Sequence, residues 1–562
     1  MALPPVRSKH RSFRLARLGN SLEKSAPARL GGHACADAVH YLAMLRRLAF
    51  PALLLLFALG LAGRWAAQDK PAANMAAQQA AAERLYREAA SLVERKAAEP
   101  PAQKKLLEDS LDGMLHGLDP HSNYFSPEVF KDLMEDQEGK FSGLGLLVTK
   151  PGATSPLLVI TPIPDTPAWR AGIRAGDVIL EVDGQATDKM SSRDAVRKLK
   201  GPEGTSVTIK LGRGEAKPEL LTLKRAPIPK HTVPYAFMLG DGQGYAKVNT
   251  FGNTTVAELQ ENLDRLRREG MTSLILDLRD NPGGSLPAAV GVASLFLNKG
   301  QEVVSVRGRR AGITMRHKAT KDGPFSDIPM AVLLNLGSAS ASEMVAGALQ
   351  DHDRALVVGE RSWGKGLVQT MTALGDEGAV AITTARYYTP SGRLIQRDYS
   401  KSYDAYYFPD QQPEEIAPAP ASGSAGAESH TDNGRAVYGG GGIAPDVPVK
   451  ADKIPPLALK LERNRAFLNF AAKEVEKGKM DPARARSAEF LAAFKAGGMG
   501  DVKFTDAEWT ESEPYMRAAL EREAMTMLEG QAAGYKAMIP LDNQLLKAEA
   551  VLKEKAFQKK AA

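Results

Sequence analysis

The sequence predicts a multidomain α+β chain in which helical stretches at both ends flank a small β-rich module and a larger α/β core. Three observations carry that reading. At 562 residues, 43% hydrophobic and 25% charged, the chain is too long for one hydrophobic core and too ordinary in composition for disorder. Between 141 and 227, short β-branched runs (Leu157–Thr161, Val178–Val182, Val207–Leu211) are separated by Gly, Pro and Asp turns, with one helical stretch at Ser191–Leu199. Between 228 and 452 strands and helices alternate. There Ser273–Leu278 and Met330–Leu336 are unbroken apolar runs, each followed by a Gly or Ser turn and a helical pattern, as strands buried on both faces require.

Residues 1–68 read as a leader. The apolar run Leu48–Gly63 follows Arg46-Arg47 and precedes the small and polar Arg64-Trp65-Ala66-Ala67-Gln68, the layout of a signal peptide. It is somewhat short for a spanning helix, so both a cleaved signal and a signal anchor fit. The formal charge of +7 is confined here, because nine Lys/Arg and two acids within 1–47 account for the whole excess. The remaining chain is neutral, which argues against a nucleic-acid-binding body. Cys35, the only cysteine, also lies in the leader, which excludes thiol catalysis and cysteine-zinc sites from the rest.

Residues 69–140 are helical by three-and-four spacing of Leu85, Leu92, Leu106, Leu107, Leu111, Met114 and Leu115, with a break at Pro100-Pro101. They end in the turn-rich Leu118-Asp119-Pro120-His121-Ser122-Asn123-Tyr124-Phe125. In the 141–227 module, Phe141-Ser142-Gly143-Leu144-Gly145-Leu146, the stretch Ala171–Ile179 and Val182-Asp183-Gly184 resemble a PDZ domain. Gly143, Leu144, Gly145 and Leu146 would then turn N–H groups toward a peptide's terminal carboxylate while the adjacent strand edge pairs with the peptide. A Pro/Ala/Ser/Gly-rich insert at 410–442 reads as a mobile surface excursion, and 453–562 is helical without evident chemistry.

The chemistry concentrates in Gly337-Ser338-Ala339-Ser340-Ala341-Ser342-Glu343, which runs from an apolar strand through a small-residue turn into a helix. Such a turn can present a hydroxyl where free N–H groups and the helix dipole favour an oxyanion. Ser340-x-x-Glu343 fits a helix capping box equally well. A serine also needs a base. Asp351 and His352, at least 11 residues along a continuous helix, would lie roughly 16 Å away, and His121 has no second feature to support it. Lys365, between Gly364 and Gly366 and ahead of an apolar strand, is the better candidate. A strand starting at Lys365 would place Gln369 on the same face. Burial could bring the amine down from about 10.4 toward neutrality. Gly359–Lys365 also fits the phosphate-loop spacing G-x-x-x-x-G-K, but Gly366 replaces the magnesium-holding Ser/Thr and a strand pattern follows.

Together with Leu276-Asp277-Leu278-Arg279-Asp280-Asn281-Pro282-Gly283-Gly284, Gly364-Lys365-Gly366-x-Val368-Gln369 and Arg386–Arg393, the serine segment resembles the C-terminal processing peptidase family, which includes tail-specific proteases. The similarity covers about 75–452 in matching order. It implies a PDZ domain inserted ahead of a crotonase/Clp-protease-like ββα core and a serine-lysine dyad. In that dyad Ser340 is the nucleophile, Lys365 the general base and Gln369 its support, with N–H groups of Ala341, Gly283 and Gly284 forming the oxyanion hole. No metal, nucleotide or other cofactor is implied. The implied partners are proteins with exposed apolar C-termini, with room for an adaptor or activator and for a homo-oligomer. The implied location is the periplasm or cell envelope, with membrane contact only through 48–63. The competing expectation is a catalytically silent PDZ scaffold. The insert and the helical tail depart from the compact family pattern.

Met44, two residues before the arginine pair, is expected to be the true start. Intact-mass analysis of the cellular product should find no residue before it, and any such residue refutes the assignment.

Overall fold

The computed structural model describes residues 75–554 apart from 153, 215, 310–313, 401–405, 408–427 and 479. The expected leader, with Cys35 and the 48–63 run, and the insert up to 427 lie outside the described residues. Among the described residues no helix is long and apolar enough to cross a membrane. The chain divides into two units, 1–106 and 107–562. In the first, 75–96 is helical and stops ahead of Pro100-Pro101. The next helix, Gln103–His116, begins just past them, where their missing N–H groups no longer interrupt the ladder.

In the second unit, β1 (Asn123–Phe125) is followed by the helix Pro127–Glu138, with Ser126 at its N-cap and Gly139 in the left-handed conformation at its end. β2 (Lys140–Gly143) then opens the β-rich module, which contains β3 (Leu146–Thr149), β4 (Leu157–Pro162), β5 (Val178–Val182), β6 (Gln185–Ala186), the helix Ser192–Leu199, β7 (Ser206–Gly212) and β8 (Glu219–Lys224). β9 (Ala226–Pro229) returns to pair antiparallel with β2, so the two ends of the module leave together as one stem. Its sheet runs β3-β4-β5-β7-β8, with β6 on β5, which leaves β3 at an edge. Leu157, Val159, Ile179, Val182, Val207, Ile209 and Leu211 fill its core in the alternation the sequence showed.

The larger core begins with β10 (Tyr235–Gly240), β11 (Gln243–Lys247), the helix Thr255–Arg268 and β12 (Ser273–Asp277), followed by the helix Leu286–Ser294 and the hairpin β13 (Glu302–Gly308) with β14 (Thr314–Lys318). β15 (Met330–Leu334), the helix Ala341–Asp351, β16 (Leu356–Gly359), β17 (Leu367–Ala373) and β18 (Ala379–Tyr388) come next. A short hairpin, β19 (Glu428–His430) with β20 (Ala436–Tyr438), precedes β21 (Val447–Pro448). The main sheet is ordered β10-β11-β12-β15-β16-β21 and is parallel except for β10. A second sheet, β1-β18-β13-β14 with β17 on β18, stands beside it.

Alternation in the main sheet explains its unbroken apolar strands. Leu274, Leu276, Met330, Val332, Leu334 and Val357 face the three core helices. Ile275, Ala331, Leu333 and Val358 face the other way, onto Leu545, Ala548, Val551 and Leu552. Those last residues belong to Asn543–Lys553, the final helix of the C-terminal region. The helical tail is therefore the second layer of the core sheet. The same region carries its own aromatic core of Phe467, Phe470, Phe490, Phe494 and Trp509, and its helices Ala466–Glu476 and Asp506–Glu529 meet the module through Ala472, Met527 and Leu158.

The described part of the insert differs from the excursion expected through 442. Arg435 pairs with Asp353 at 2.5 Å and also with Asp446, and Asp432 takes His352 Nδ1 at 2.7 Å. These charges sit among Pro/Ser/Gly-rich neighbours, so composition concealed a hairpin built into the core.

Leu545→Ala should cost about 2–5 kcal/mol of unfolding free energy, because a fully buried side chain is lost from the sheet's second face. Exposed Leu546→Ala should stay within about 0.5 kcal/mol. Equal effects in denaturant unfolding would refute the packing role of this helix.

Candidate active site

Three loops leave the carboxyl ends of adjacent parallel strands: 278–285 after β12, 335–340 after β15 and 360–366 after β16. Crevices form at such ends in open α/β sheets. Asn281 binds the first two loops together. Its side chain donates to Val248 O at 2.8 Å and accepts from Gly283 N–H at 2.9 Å, while its carbonyl accepts from Ala339 N–H at 3.0 Å and Ser342 Oγ at 2.9 Å.

These bonds separate the three serines of the turn. Ser338 and Ser342 are fully buried and spend their hydroxyls on Leu278 O at 2.8 Å and on Asn281 O. Ser340 is partly exposed and stands at the N-cap with φ 55° and ψ −112°, a conformation that costs a non-glycine residue about 1–3 kcal/mol. Ser340 and Glu343 stand in the capping-box relation, with the carboxylate on Ser340 N–H, yet the hydroxyl makes no cap hydrogen bond.

Glu343 instead serves the loop crossing. Its carboxylate, fully buried, accepts from Ser340 N–H at 2.8 Å and Lys365 N–H at 2.9 Å through one oxygen, and from Ser362 Oγ at 2.6 Å and Gly364 N–H at 2.7 Å through the other. The backbones of Ser340 and Lys365 thus converge on a single atom. Burial pushes the Glu343 carboxyl above its usual range, and the four donors pull the other way. On the opposite side the Tyr387 hydroxyl lies within hydrogen-bonding reach of the carbonyls of both Ser340 and Lys365.

The Lys365 amine is held below its ordinary value by burial, against the pull of Glu343 and Asp119. Asp119 belongs to the turn before β1, which sequence reasoning left without a role. The turn is fastened by Ser122 Oγ, which donates to Asp119 at 2.7 Å and accepts Thr383 N–H at 3.1 Å. It is also fastened by Tyr407, whose hydroxyl donates to Pro120 O at 2.7 Å. His121, bonded to Tyr406 at 2.5 Å, is lowered to about 4 by burial first, then by the Lys365 charge, with Asp119 opposing. Only contacts spanning hundreds of residues, from Tyr406, Tyr407 and Thr383, reveal this wall of the site.

Several expectations change. β17 begins at Leu367, not Lys365, so strand alternation does not reach Lys365 and does not by itself place Gln369 beside it, and the bulge opposite Val368 and Gln369 falls on β18 at Thr384. No hydrogen bond joins Ser340, Lys365 and Gln369 side chains among the described residues, and Gln369 Nε2 is buried without a partner. Gly283 has φ 101°, and a Cβ there would fall 2.8 Å from both Ser340 Cβ and Ala341 N, so only glycine lets the loops meet. Its own N–H is taken by Asn281, while the N–H groups of Ala341 and Gly284 have no acceptor among the described residues. A strand follows Lys365, so the phosphate-loop geometry is absent. Asp351 accepts from Arg393 at 2.7 Å through one oxygen and from Ser391 N–H at 3.0 Å through the other, and both His352 nitrogens are used, on Asp432 and Glu302 O.

Below the site, buried Asp277 is held well under the usual carboxylate range by Arg279 and Lys247 despite its desolvation. Arg279 also pairs with Asp542 at 2.7 Å, tying the loop after β12 to the tail. In the module, Leu144 and Gly145 offer N–H groups without acceptors among the described residues, while Leu144 itself is core and Leu146 is half-buried.

The peptidase family S41 model matches residues 242–401 and a PDZ domain model matches 158–213. The carboxy-terminal-processing protease of Bartonella bacilliformis is 43% identical over 301 residues, which is 53% of this chain and 68% of that protein. The carboxyl-terminal-processing protease of Picosynechococcus is 34% identical over 321 residues, 56% of this chain and 73% of that protein. A solved photosystem II D1 C-terminal processing protease is 30% identical, covering 65% of this chain and 86% of that one, at a TM-score of 0.33.

Glu343→Gln turns one of two acceptor oxygens into a donor facing donors, whichever way the amide lies. It should lower unfolding free energy by about 2–4 kcal/mol in urea. A loss under about 0.5 kcal/mol would show that the carboxylate does not hold the loops.

Proposed function

Because this chain belongs to peptidase family S41, among the carboxy-terminal processing serine proteases, we propose that it cuts proteins near exposed apolar C-termini with Ser340 as nucleophile and Lys365 as general base. The observation that supports the assignment most is the shared Glu343 oxygen, which joins the backbones of Ser340 and of a lysine whose amine is desolvated. In this reading the Lys365 amine takes the Ser340 proton as Oγ attacks the scissile carbonyl. The resulting oxyanion is received by the N–H groups of Ala341 and Gly284, which lack other acceptors among the described residues, rather than by Gly283. The lysine then passes its proton to the departing amine and activates water against the acyl-enzyme. Gln369 would accept an N–H of the amine on its side-chain oxygen once substrate aligns the start of β17. The module holds the substrate tail on the N–H groups of Leu144 and Gly145 and the edge of β3. The same reading has the chain exported by its 48–63 segment.

Purified protein should degrade an unstructured substrate ending in apolar residues, and Ser340→Ala and Lys365→Ala should each abolish this. Turnover persisting in both variants refutes the dyad. Activity should rise with pH through a single ionisation below the usual 10.5 of lysine, since only the neutral amine is a base. The folded state binds this proton less readily than the unfolded chain, so stability on this account rises with pH between the two pKa values. Lys365→Met should therefore abolish activity without lowering the unfolding midpoint at neutral pH. A lowered midpoint would mean that the charged amine is structural.

Leu146→Asp should weaken cleavage of tailed substrates more than of short untagged peptides. Leu144 cannot serve as this probe, because an aspartate there would enter the module's core. Equal losses on both substrates would argue against tail docking.

A further inference from the structure

β3 is the open edge of the module's sheet, and the N–H groups of Leu144 and Gly145 precede it. An antiparallel strand whose last residue stands opposite Leu146 places its fourth residue from the end opposite Thr149, the last residue of β3. Opposed residues share a face of the sheet. Leu146 and Val148 pack toward the module's core, so Leu147 and Thr149 point to the other face. Thr149 pairs with Leu158, which packs on Ala472 and Met527 of the C-terminal helices. A ligand's fourth-from-last side chain would emerge on that helix-covered face.

Arg465, immediately before the helix Ala466–Glu476, stands there. Its Nη1 donates to Thr149 Oγ1 at 2.6 Å and Lys150 O at 2.7 Å. Its Nε and Nη2 have no protein acceptor among the described residues, and no carboxylate there pairs with it. The neighbouring Lys150 ammonium is committed to the carbonyls of Thr187, Asp188 and Met190 at 3.0, 3.2 and 2.6 Å. What remains is an exposed guanidinium, anchored at one nitrogen, with the rest of its planar fork open to a carboxylate.

Resting on the reading that the module holds substrate C-termini, we propose that Arg465 forms a subsite selecting an acidic side chain at the fourth residue from the substrate's end. The C-terminal helices thereby supply one wall of the tail-binding groove.

The test uses full-length protein carrying Ser340→Ala, so that ligands are not cut, and fluorescence anisotropy with short labelled peptides that have apolar ends. Peptides with Glu at the fourth position should bind about three- to fivefold more tightly than those with Gln, the upper part of the range for an exposed ion pair, and the margin should shrink in about 0.5 M salt. Adding Arg465→Gln should erase the margin while leaving affinity for the Gln peptide unchanged, which reports an intact groove. Arg465→Lys should retain part of it. Equal affinity for Glu and Gln peptides, or a preference that survives Arg465→Gln, overturns the subsite. An amidated Glu peptide distinguishes the two levels. If amidation abolishes binding while Glu and Gln bind alike, the subsite alone fails. If amidation changes nothing, tail capture fails and the subsite with it.

Discussion

The Glu343 carboxylate is the constraint on which the site depends. Ser340 lies after β15 and Lys365 after β16, and neither loop has a regular ladder to hold it. One buried carboxylate accepting four hydrogen bonds replaces that ladder. It fixes the strained turn at Ser340 from below, while Tyr387 spans the two carbonyls on the other side. A buried charge is costly unless its oxygens are fully used, and here each oxygen takes two donors. The capping-box pattern in the sequence is therefore a real feature whose larger role lies in contacts to residues 19–22 positions further on.

A second consequence concerns the C-terminal helices. A parallel sheet must be covered on both faces, and the core helices supply only one cover. The tail supplies the other, reaches the loop beneath the site through Arg279 and Asp542, and meets the module at Leu158. One region thus joins the PDZ module, the sheet and the base of the site. Deleting it would expose a hydrophobic sheet face, so it is integral to the fold.

Much of this was legible in the sequence because it rests on local periodicity. The apolar strands, the module's turns and the strand-turn-helix at Ser340 are read from neighbours within a few residues. What escaped depends on distant pairing. Asp119 and His121 approach Lys365 only because Tyr406, Tyr407 and Thr383 pin their turn. Arg435 looks like one charge in a low-complexity stretch until Asp353 and Asp446 are beside it. Alternation does not relate Gln369 to Lys365, because β17 starts only at Leu367 and no local pattern marks that start. The family resemblance names Gly283 among the oxyanion donors, whereas the use of its N–H by Asn281 is visible only in the structure.

The electrostatics of Lys365 follow from the same arrangement. An amine can be a base near neutrality only if its surroundings favour the uncharged form, yet two carboxylates, Glu343 and Asp119, act on it. Both are already occupied. Glu343 holds four donors, and Asp119 holds the N–H groups of His121 and Ser122 and the Ser122 hydroxyl. Donors directed at a carboxylate offset its field at a third group, so desolvation remains the larger influence on the amine. His121 contributes by staying neutral: with its pKa near 4 it adds no second cation at physiological pH. The hydrogen bonds that position the loops are thus the ones that blunt the charges around the lysine, and placement and basicity are set together.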